Sequence, residues 1–165
     1  MGCTLIRGIL LLCCGVLSIT VLAERLDDSL SPQQQLNLVL DWKTSPAASN
    51  NPNQEIFNRV VARASNVDTR LDTSKYLNKE VSIYLSLPIL VRGLGNPHSL
   101  IFSWTTNGLF LDGQLRPGNR QLIFEGRVTQ PVMIDNFHFT FELDARDLTQ
   151  TLRLEPVYEI ELVTP

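Results

Sequence analysis

Apolar and polar residues alternate along the last third of the chain, and this pattern constrains the fold more than any other feature. Phe137, Phe139, Phe141 and Leu143 alternate with Asn136, His138, Thr140 and Glu142. Successive side chains of a β-strand point to opposite faces, so this segment would have one apolar and one polar face. Such faces are typical of antiparallel sheets. No long stretch repeats apolar residues with the 3.6-residue period of a helix, so the pattern predicts an all-β protein.

The same alternation predicts further strands, and turn-forming residues separate them. The predicted strands cover residues 36–43, 56–71, 80–87, 100–106, 121–128 and 152–163. Leu122 and Phe124 are expected to point inward. Residues 56–64 also fit a short helix, but the alternation continues to Leu71, so a strand is the better prediction. Asp72 is expected to cap a single helical turn after this strand.

Two turns are predicted from their residue types. Asn107 and Gly108 both tolerate a positive φ and would form a tight turn. Residues 116–119 read Arg-Pro-Gly-Asn, which fits a type II turn with Gly at the third position. Seven or eight strands joined by such turns predict a single antiparallel β-sandwich, jelly-roll or immunoglobulin-like, over residues 36–165. Residues 24–35 would be a loose polar lead.

Residues 71–83 add a resemblance to this pattern. They read LDTSKYLNKEVSI, which resembles a turn-then-strand segment common in jelly-roll sandwich domains. Some domains of that kind bind carbohydrate. The resemblance covers about a dozen residues and a nonspecific motif, so it implies a sandwich fold and assigns no site residue.

The first 23 residues have the pattern of a secretory signal peptide. Arg7 gives a positive start, residues 9–22 are mostly apolar, and Val21 and Ala23 suit cleavage after Ala23. Neither Cys13 nor Cys14 follows a small residue, as a lipoprotein signal would require. We therefore expect a periplasmic or secreted protein with no stable membrane span after cleavage. It would be membrane-tethered if this segment is retained.

Cleavage would remove every cysteine, because the three lie at positions 3, 13 and 14. The mature chain would then have no disulfide, thiolate metal site or cysteine nucleophile. An exported chain without cysteine favours a bacterial periplasm or cell surface. The formal net charge is −3 and the arginines are scattered, so a nucleic-acid partner is not expected.

The chain shows no catalytic or metal-binding pattern, so neither an enzyme nor a cofactor is predicted. Gly-x-Ser-x-Gly is absent, and the two histidines, His98 and His138, are interpreted as an exposed loop residue and a solvated sheet residue. The pairs Asp68 with Asp72 and Asp144 with Asp147 lack calcium-loop spacing. Carboxylates for glycoside hydrolysis could come only from ordinary surface acids: Glu125, Asp135, Glu142 or Asp144.

A binding surface is harder to exclude. Residues 103–113 read SWTTNGLFLDG, and Trp104 shares the apolar face of Leu100 and Phe102, which favours a structural role for this stretch. The candidate ligand-binding residues are Tyr84, Phe110 and Asn107. The two aromatic residues are chosen because each falls on the face opposite its aliphatic neighbours, where exposed rings could contact a sugar or a protein.

The first hypothesis is therefore an exported, non-enzymatic β-sandwich that binds another envelope or surface protein as an accessory or assembly subunit. Residues 152–163 would be an edge strand able to recruit a partner by strand addition, with Pro156 and three glutamates limiting indiscriminate pairing. Carbohydrate binding is the first alternative. A hydrolase that uses His138 or an acid pair is the second.

Overall fold

A computed structural model describes residues 23–32, 41–42 and 58–163. This part of the chain is all-β and its strands pair antiparallel. The strands are β1 Glu24–Arg25, β2 Asp41–Trp42, β3 Arg59–Asp72, β4 Glu80–Ser86, β5 Arg92–Leu94, β6 Ile101–Thr106, β7 Gly113–Leu115, β8 Arg120–Arg127, β9 Val132–Asp144, β10 Leu148–Arg153 and β11 Val157–Leu162. Within these ranges, no helix has the length and apolar character needed to cross a bilayer.

The strands form three sheets. The order is β1-β11-β4-β8 in a four-stranded sheet, β2-β3-β9-β6-β7 in a five-stranded sheet, and β10-β5 in a two-stranded sheet. Single 3₁₀ turns occur at Ser74–Tyr76, Pro97–Ser99 and Ala145–Asp147. Before the first of these turns, the Asp72 carboxylate accepts the Ser74 N–H at 2.9 Å, as predicted.

The alternation of β9 is confirmed, and it builds the centre of the core. Phe137, Phe139, Phe141 and Leu143 are all buried, while the polar residues between them are half-buried. Phe102 of β6 stacks on Phe139 and Phe141 with ring centroids 5.0 and 5.1 Å apart. Each aromatic ring buries a large apolar area, and offset contacts between rings add further stabilisation. This column of rings therefore links β6 to β9.

The predicted alternation of β4 is confirmed too, but the predicted alternation of β8 is confirmed only in part. Ile83 lies opposite Phe124, and Tyr84 lies opposite Leu122, so Ile123 is an extra residue in a bulge. Phe124 packs against the core as predicted, and Ile123 is fully buried beside it. Leu122 is half-buried and shares the face of Tyr84, so its predicted inward direction is wrong. A bulge resets the two-residue period, and nothing in the local sequence marked this one.

Of the two predicted N-terminal segments, the lead differs from expectation and the strand is confirmed where it is described. Residues 24–35 were expected to be a loose lead, but Glu24–Arg25 pair with β11 and Leu26 is buried in the core. Of the predicted strand 36–43, only Asp41–Trp42 lies within the described residues. There Trp42 pairs with Val60, and 61% of Trp42 is exposed.

The predicted edge strand at residues 152–163 is corrected by the structure. Residues up to Arg153 belong to β10, and β11 begins at Val157, with Pro156 between them. Because β11 lies between β4 and β1, Glu24 and Arg25 cover part of the edge that was expected to be free, at Ile160 and Glu159. Pairing with a distant N-terminal segment cannot be seen in local alternation.

Candidate functional site

The stretch 103–113 has a structural role at every contact that the structure shows. Trp104 is buried, and its indole N–H donates to the Leu111 carbonyl at 3.0 Å. The Thr106 hydroxyl donates to the Phe110 carbonyl at 2.5 Å, and the Thr106 N–H donates to the Asp112 carboxylate at 2.8 Å. These bonds close residues 107–112 into a compact loop between β6 and β7. The structural interpretation of Trp104 is confirmed.

Phe110 does not have the exposure that the sequence predicted. Only 4% of it is exposed. Its ring packs on those of Phe124 and Phe137, with centroids 6.4 and 5.7 Å apart. Residue 110 lies outside regular strand geometry, so the face inferred from alternation does not apply to it. Phe110 is a core residue and offers no ring to a ligand.

Asn107 and Gly108 do not form the predicted positive-φ turn. Neither belongs to the described residues with positive φ, whereas Gly118 has φ 84° in the predicted type II turn. A Cβ on Gly108 would instead lie 2.7 Å from the Asp135 carboxylate. Glycine is needed here because the loop passes directly over that buried acid.

Asp135 anchors this loop to β9. It is 6% exposed, and its carboxylate accepts the N–H groups of Phe110 at 2.8 Å and of Asn136 at 2.7 Å. A buried carboxylate needs such partners because its desolvation is costly. Its hydrogen bonds to the main chain give Asp135 a structural role.

Two other candidate acids also have structural contacts, whereas Glu125 is exposed. Glu142 forms an ion pair with Arg59 at 2.6 Å, and Asp144 forms one with Arg146 at 2.6 Å. The hydrogen bond from Arg146 is the main cause that lowers the pKa of Asp144 to about 2. Within the described ranges, no group of three or more His, Cys, Asp or Glu residues is placed to hold a metal ion.

Asn107 is exposed, and its amide nitrogen lies 3.0 Å from Nε2 of His138 on β9. This contact is on the five-stranded sheet, whereas Tyr84 is on β4 of the four-stranded sheet. The structure thus separates the three candidate ligand residues into an exposed loop, a core position and a different sheet. His98 is exposed, as expected for a loop residue.

Tyr84 is half-buried, and a charged group covers it. The Arg120 guanidinium lies 4.3 Å from the centre of the Tyr84 ring. Arg120 also pairs with Glu161 at 2.6 Å and with Glu159 at 3.7 Å. The hydrogen bond with Glu161 is the main cause that raises the pKa of Arg120. A sugar could stack on this face of Tyr84 only after this network moved.

The most exposed aliphatic residues of the described chain lie in the loop that follows β4. Ile89 is 66% exposed and Leu90 is 81% exposed, which are the highest values among the large hydrophobic residues of the described chain. We call residues 88–90, which follow β4, the ridge. The signal that could have revealed it is the apolar run Ile89-Leu90-Val91 directly after a strand-ending proline.

Two clefts flank the ridge. The arginine cleft has a volume of about 310 Å³, and its walls include Leu90, Arg92, Arg153, Leu154 and Glu155. The other cleft, of about 400 Å³, lies between Ile89 and the Arg120 network. Gly118 forms part of its wall, and a Cβ there would be 3.3 Å from the Ile89 side chain. An apolar projection between two mixed clefts is a surface that a partner can enclose.

Comparisons with models of known protein families, with curated proteins and with solved structures found no match for this chain. The function proposed for this chain therefore rests on the contacts described above.

Proposed function

We propose that this chain is an exported, non-enzymatic β-sandwich protein of the bacterial envelope that binds a protein partner through the ridge. It would act as an accessory or assembly subunit. The observation that carries the proposal is the exposure of Ile89 and Leu90, two adjacent aliphatic side chains at 66% and 81%. Single exposed hydrophobic residues are ordinary, but a contiguous exposed group beside clefts is typical of an interaction site.

The size of the ridge suits a small hydrophobic hot spot. Full burial of an Ile or Leu side chain is worth about 1.5–3 kcal/mol. Covering these two side chains, which are mostly exposed, would therefore contribute about 3 kcal/mol to binding. That corresponds to roughly a hundredfold in the dissociation constant. Strand addition at residues 152–163 has less support than the ridge, because β1 pairs along β11.

The sandwich arrangement belongs to the same proposal. Buried residues of both larger sheets form a single hydrophobic cluster. Phe110 contacts Phe124 of β8 and Phe137 of β9, which lie in different sheets. Two sheets that share one core are expected to pack face to face, and this supports a sandwich, jelly-roll or immunoglobulin-like, as the frame that holds the ridge.

Export is supported by the position of Glu24, the first residue after the expected cleavage site. Glu24 begins β1, and its carboxylate accepts a hydrogen bond from the Tyr76 hydroxyl at 2.7 Å. Lys75 lies 3.5 Å from the same carboxylate. The hydrogen bond from Tyr76, followed by the charge of Lys75, lowers the pKa of Glu24. A mature chain that begins at Glu24 would thus be anchored at its first residue. The protein would be periplasmic or secreted.

The alternatives have weaker support. A carbohydrate platform would need exposed rings beside polar groups, but Phe110 is buried and Arg120 covers a face of Tyr84. A hydrolase would need a free acid pair or an available His138, and Asp135, Glu142 and Asp144 already hold main-chain or arginine partners.

Site-specific photocrosslinking in the cells that produce the protein tests the proposal. A photoreactive side chain at position 90 should capture one defined protein, whereas the same group at position 109 should not. Leu109 is a suitable control because it is 51% exposed in a different loop. Added wild-type protein without the photoreactive group should compete for the partner. The Leu90→Asp protein should need up to roughly a hundredfold higher concentration for the same competition. The Leu109→Asp protein should compete as well as wild type.

Two results would contradict the proposal. One is equal capture from positions 90 and 109, which would indicate nonspecific contact. The other is full competition by the Leu90→Asp protein, which would show that the ridge is not part of the interface. The intact mass of the exported protein tests localisation in parallel, because a chain that starts at Glu24 is expected and an uncut chain would contradict it.

A further inference from the structure

Two arginines lie side by side at the arginine cleft. Arg92 of β5 and Arg153 of β10 are register partners in the two-stranded sheet. Directly opposite residues of an antiparallel pair lie on one face, with Cβ atoms about 4.5–5.5 Å apart. Like charges in this position destabilise the pair. The fold therefore holds two guanidinium groups at the same cleft wall against their mutual repulsion.

The backbones of β5 and β10 approach each other closely beside this pair. Between the register pairs Arg153 with Arg92 and Leu148 with Leu94, four residues of β10 lie opposite Gly93 alone. Gly93 has φ 89°, and a Cβ on it would be 2.4 Å from the Thr151 carbonyl oxygen. The backbones of β5 and β10 therefore touch at Gly93, directly beside the arginine pair.

The positive charge in the cleft is only partly balanced. Glu155 pairs with Arg153 at 2.8 Å, and both side chains are about two-thirds exposed. Among the described residues, none forms an ion pair or side-chain hydrogen bond with Arg92. Two guanidinium groups and a single carboxylate thus line the same cleft. A guanidinium binds carboxylates through paired N–H groups. The ion pair between Glu155 and Arg153 shows that a carboxylate can reach a guanidinium of this cleft.

We propose that the arginine cleft binds a carboxylate carried by an apolar, extended segment of the partner protein, an inference that rests on the proposed function. The apolar walls of the cleft include Leu90 and Leu154, and Leu90 also belongs to the ridge. A segment with aliphatic and acidic residues can cover Leu90 and place its carboxylate at Arg92. The partner chemistry is therefore acidic and aliphatic, supplied by a Glu or Asp side chain or by a chain terminus.

Small peptide probes test this directly by NMR titration of the isotope-labelled mature protein. Acetyl-Leu-Glu-amide is the acidic probe, and acetyl-Leu-Gln-amide is its neutral match. Acetyl-Leu-Leu with a free or an amidated C-terminus distinguishes a chain terminus from an acidic side chain. The acidic probe should shift signals of Leu90, Arg92 and Gly93 saturably and bind about fivefold more tightly than the neutral one. Added salt should weaken it.

Variants connect the binding to the arginine pair. Arg92→Gln should remove the preference for the acidic probe, while Arg63→Gln, an exposed arginine on β3, should leave it unchanged. Equal binding of each carboxylate peptide and its neutral match, retention of the preference in Arg92→Gln, or no saturable shift with any probe would overturn the proposal. Inorganic phosphate that shifts the same signals while neither peptide does would also overturn it, because it would indicate a phosphate site.

The failures of the two proposals are distinguishable. If Arg92→Gln leaves crosslinking at position 90 and its competition unchanged, the carboxylate site is excluded and the ridge interface stands. If position 90 captures no defined protein but the acidic peptide still prefers the wild-type cleft, the protein-binding function fails and the carboxylate site remains.

Discussion

Replacing Asp135 tests whether this acid has a structural role rather than a chemical one. Asp135 is 6% exposed and accepts two main-chain N–H groups, one from Phe110 and one from Asn136, at 2.8 and 2.7 Å. Asp135→Asn keeps the size of the side chain. Its amide has one oxygen acceptor, so its NH₂ group would face one of the two N–H donors. The variant would also lose the negative charge that strengthens both hydrogen bonds.

The magnitude follows from these two contacts. A hydrogen bond to a charged group contributes about 1.5–3 kcal/mol, and an unsatisfied buried donor costs about 1–3 kcal/mol. Losing one acceptor and weakening the other should therefore lower the free energy of unfolding by about 3 kcal/mol. Domains of this kind have a total of about 5–15 kcal/mol. With a urea dependence of about 2 kcal/mol per molar, the unfolding midpoint should fall by about 1.5 M.

Urea unfolding followed by tryptophan fluorescence measures this change, because Trp104 is buried beside the loop that Asp135 anchors. Glu125→Gln is the matched control, since Glu125 is an exposed acid on β8 and should change stability by less than about 0.5 kcal/mol. An unchanged midpoint in Asp135→Asn would refute the reasoning. It would mean that the loop does not depend on this carboxylate.

Three further predictions concern other parts of the molecule. Gly93→Ala should lower the free energy of unfolding by about 2–3 kcal/mol, because residue 93 has φ 89° and a Cβ there would lie 2.4 Å from a main-chain oxygen; a calorimetric midpoint equal to wild type would contradict this. Burial raises the pKa of Tyr158 to about 12 from 10.0, so the folded state keeps the phenolic proton that the unfolded state loses first. The free energy of unfolding should therefore fall between about pH 10 and 12. In alkaline titrations followed by circular dichroism, the Tyr158→Phe protein should lose its folded structure less steeply over this range than wild type. The pKa of Asp144 is lowered to about 2, first by its hydrogen bond from the Arg146 side chain, so the stability it contributes is present above about pH 4 and is lost as the pH falls towards 2. In Arg146→Gln, NMR titration of the Asp144 carboxyl should give a pKa closer to 3.8; an unchanged pKa would show that the arginine is not the cause.

Much of the strand pattern could be predicted from local sequence. The inward faces of β9 and β4 follow from alternation alone, because adjacent side chains of a strand always point to opposite faces. The turn at Gly118 and the hydrogen bond from the Ser74 N–H to Asp72 were also predictable, since each depends on a residue type within a few positions. These features require no knowledge of distant parts of the chain.

The candidate site was less predictable, because exposure depends on what packs above a residue. Phe110 was expected at the surface and is buried by Phe124 and Phe137, which are distant in sequence. The aliphatic pair Ile89 and Leu90 showed the reverse, since an apolar run usually indicates core and here it projects from a loop. Local residue type cannot distinguish these two cases.

The sequence by itself determined the all-β class, most strand positions and the buried faces of β4 and β9. Those properties follow from alternation, which is set by the chain's own geometry. Tertiary structure decided that β1 covers part of β11, that a bulge shifts Leu122 outward, that Asp135 supports a loop, and that Arg92 lies beside Arg153. Each of these depends on pairing between residues far apart in the chain, and pairing partners are selected by the packing of the whole core.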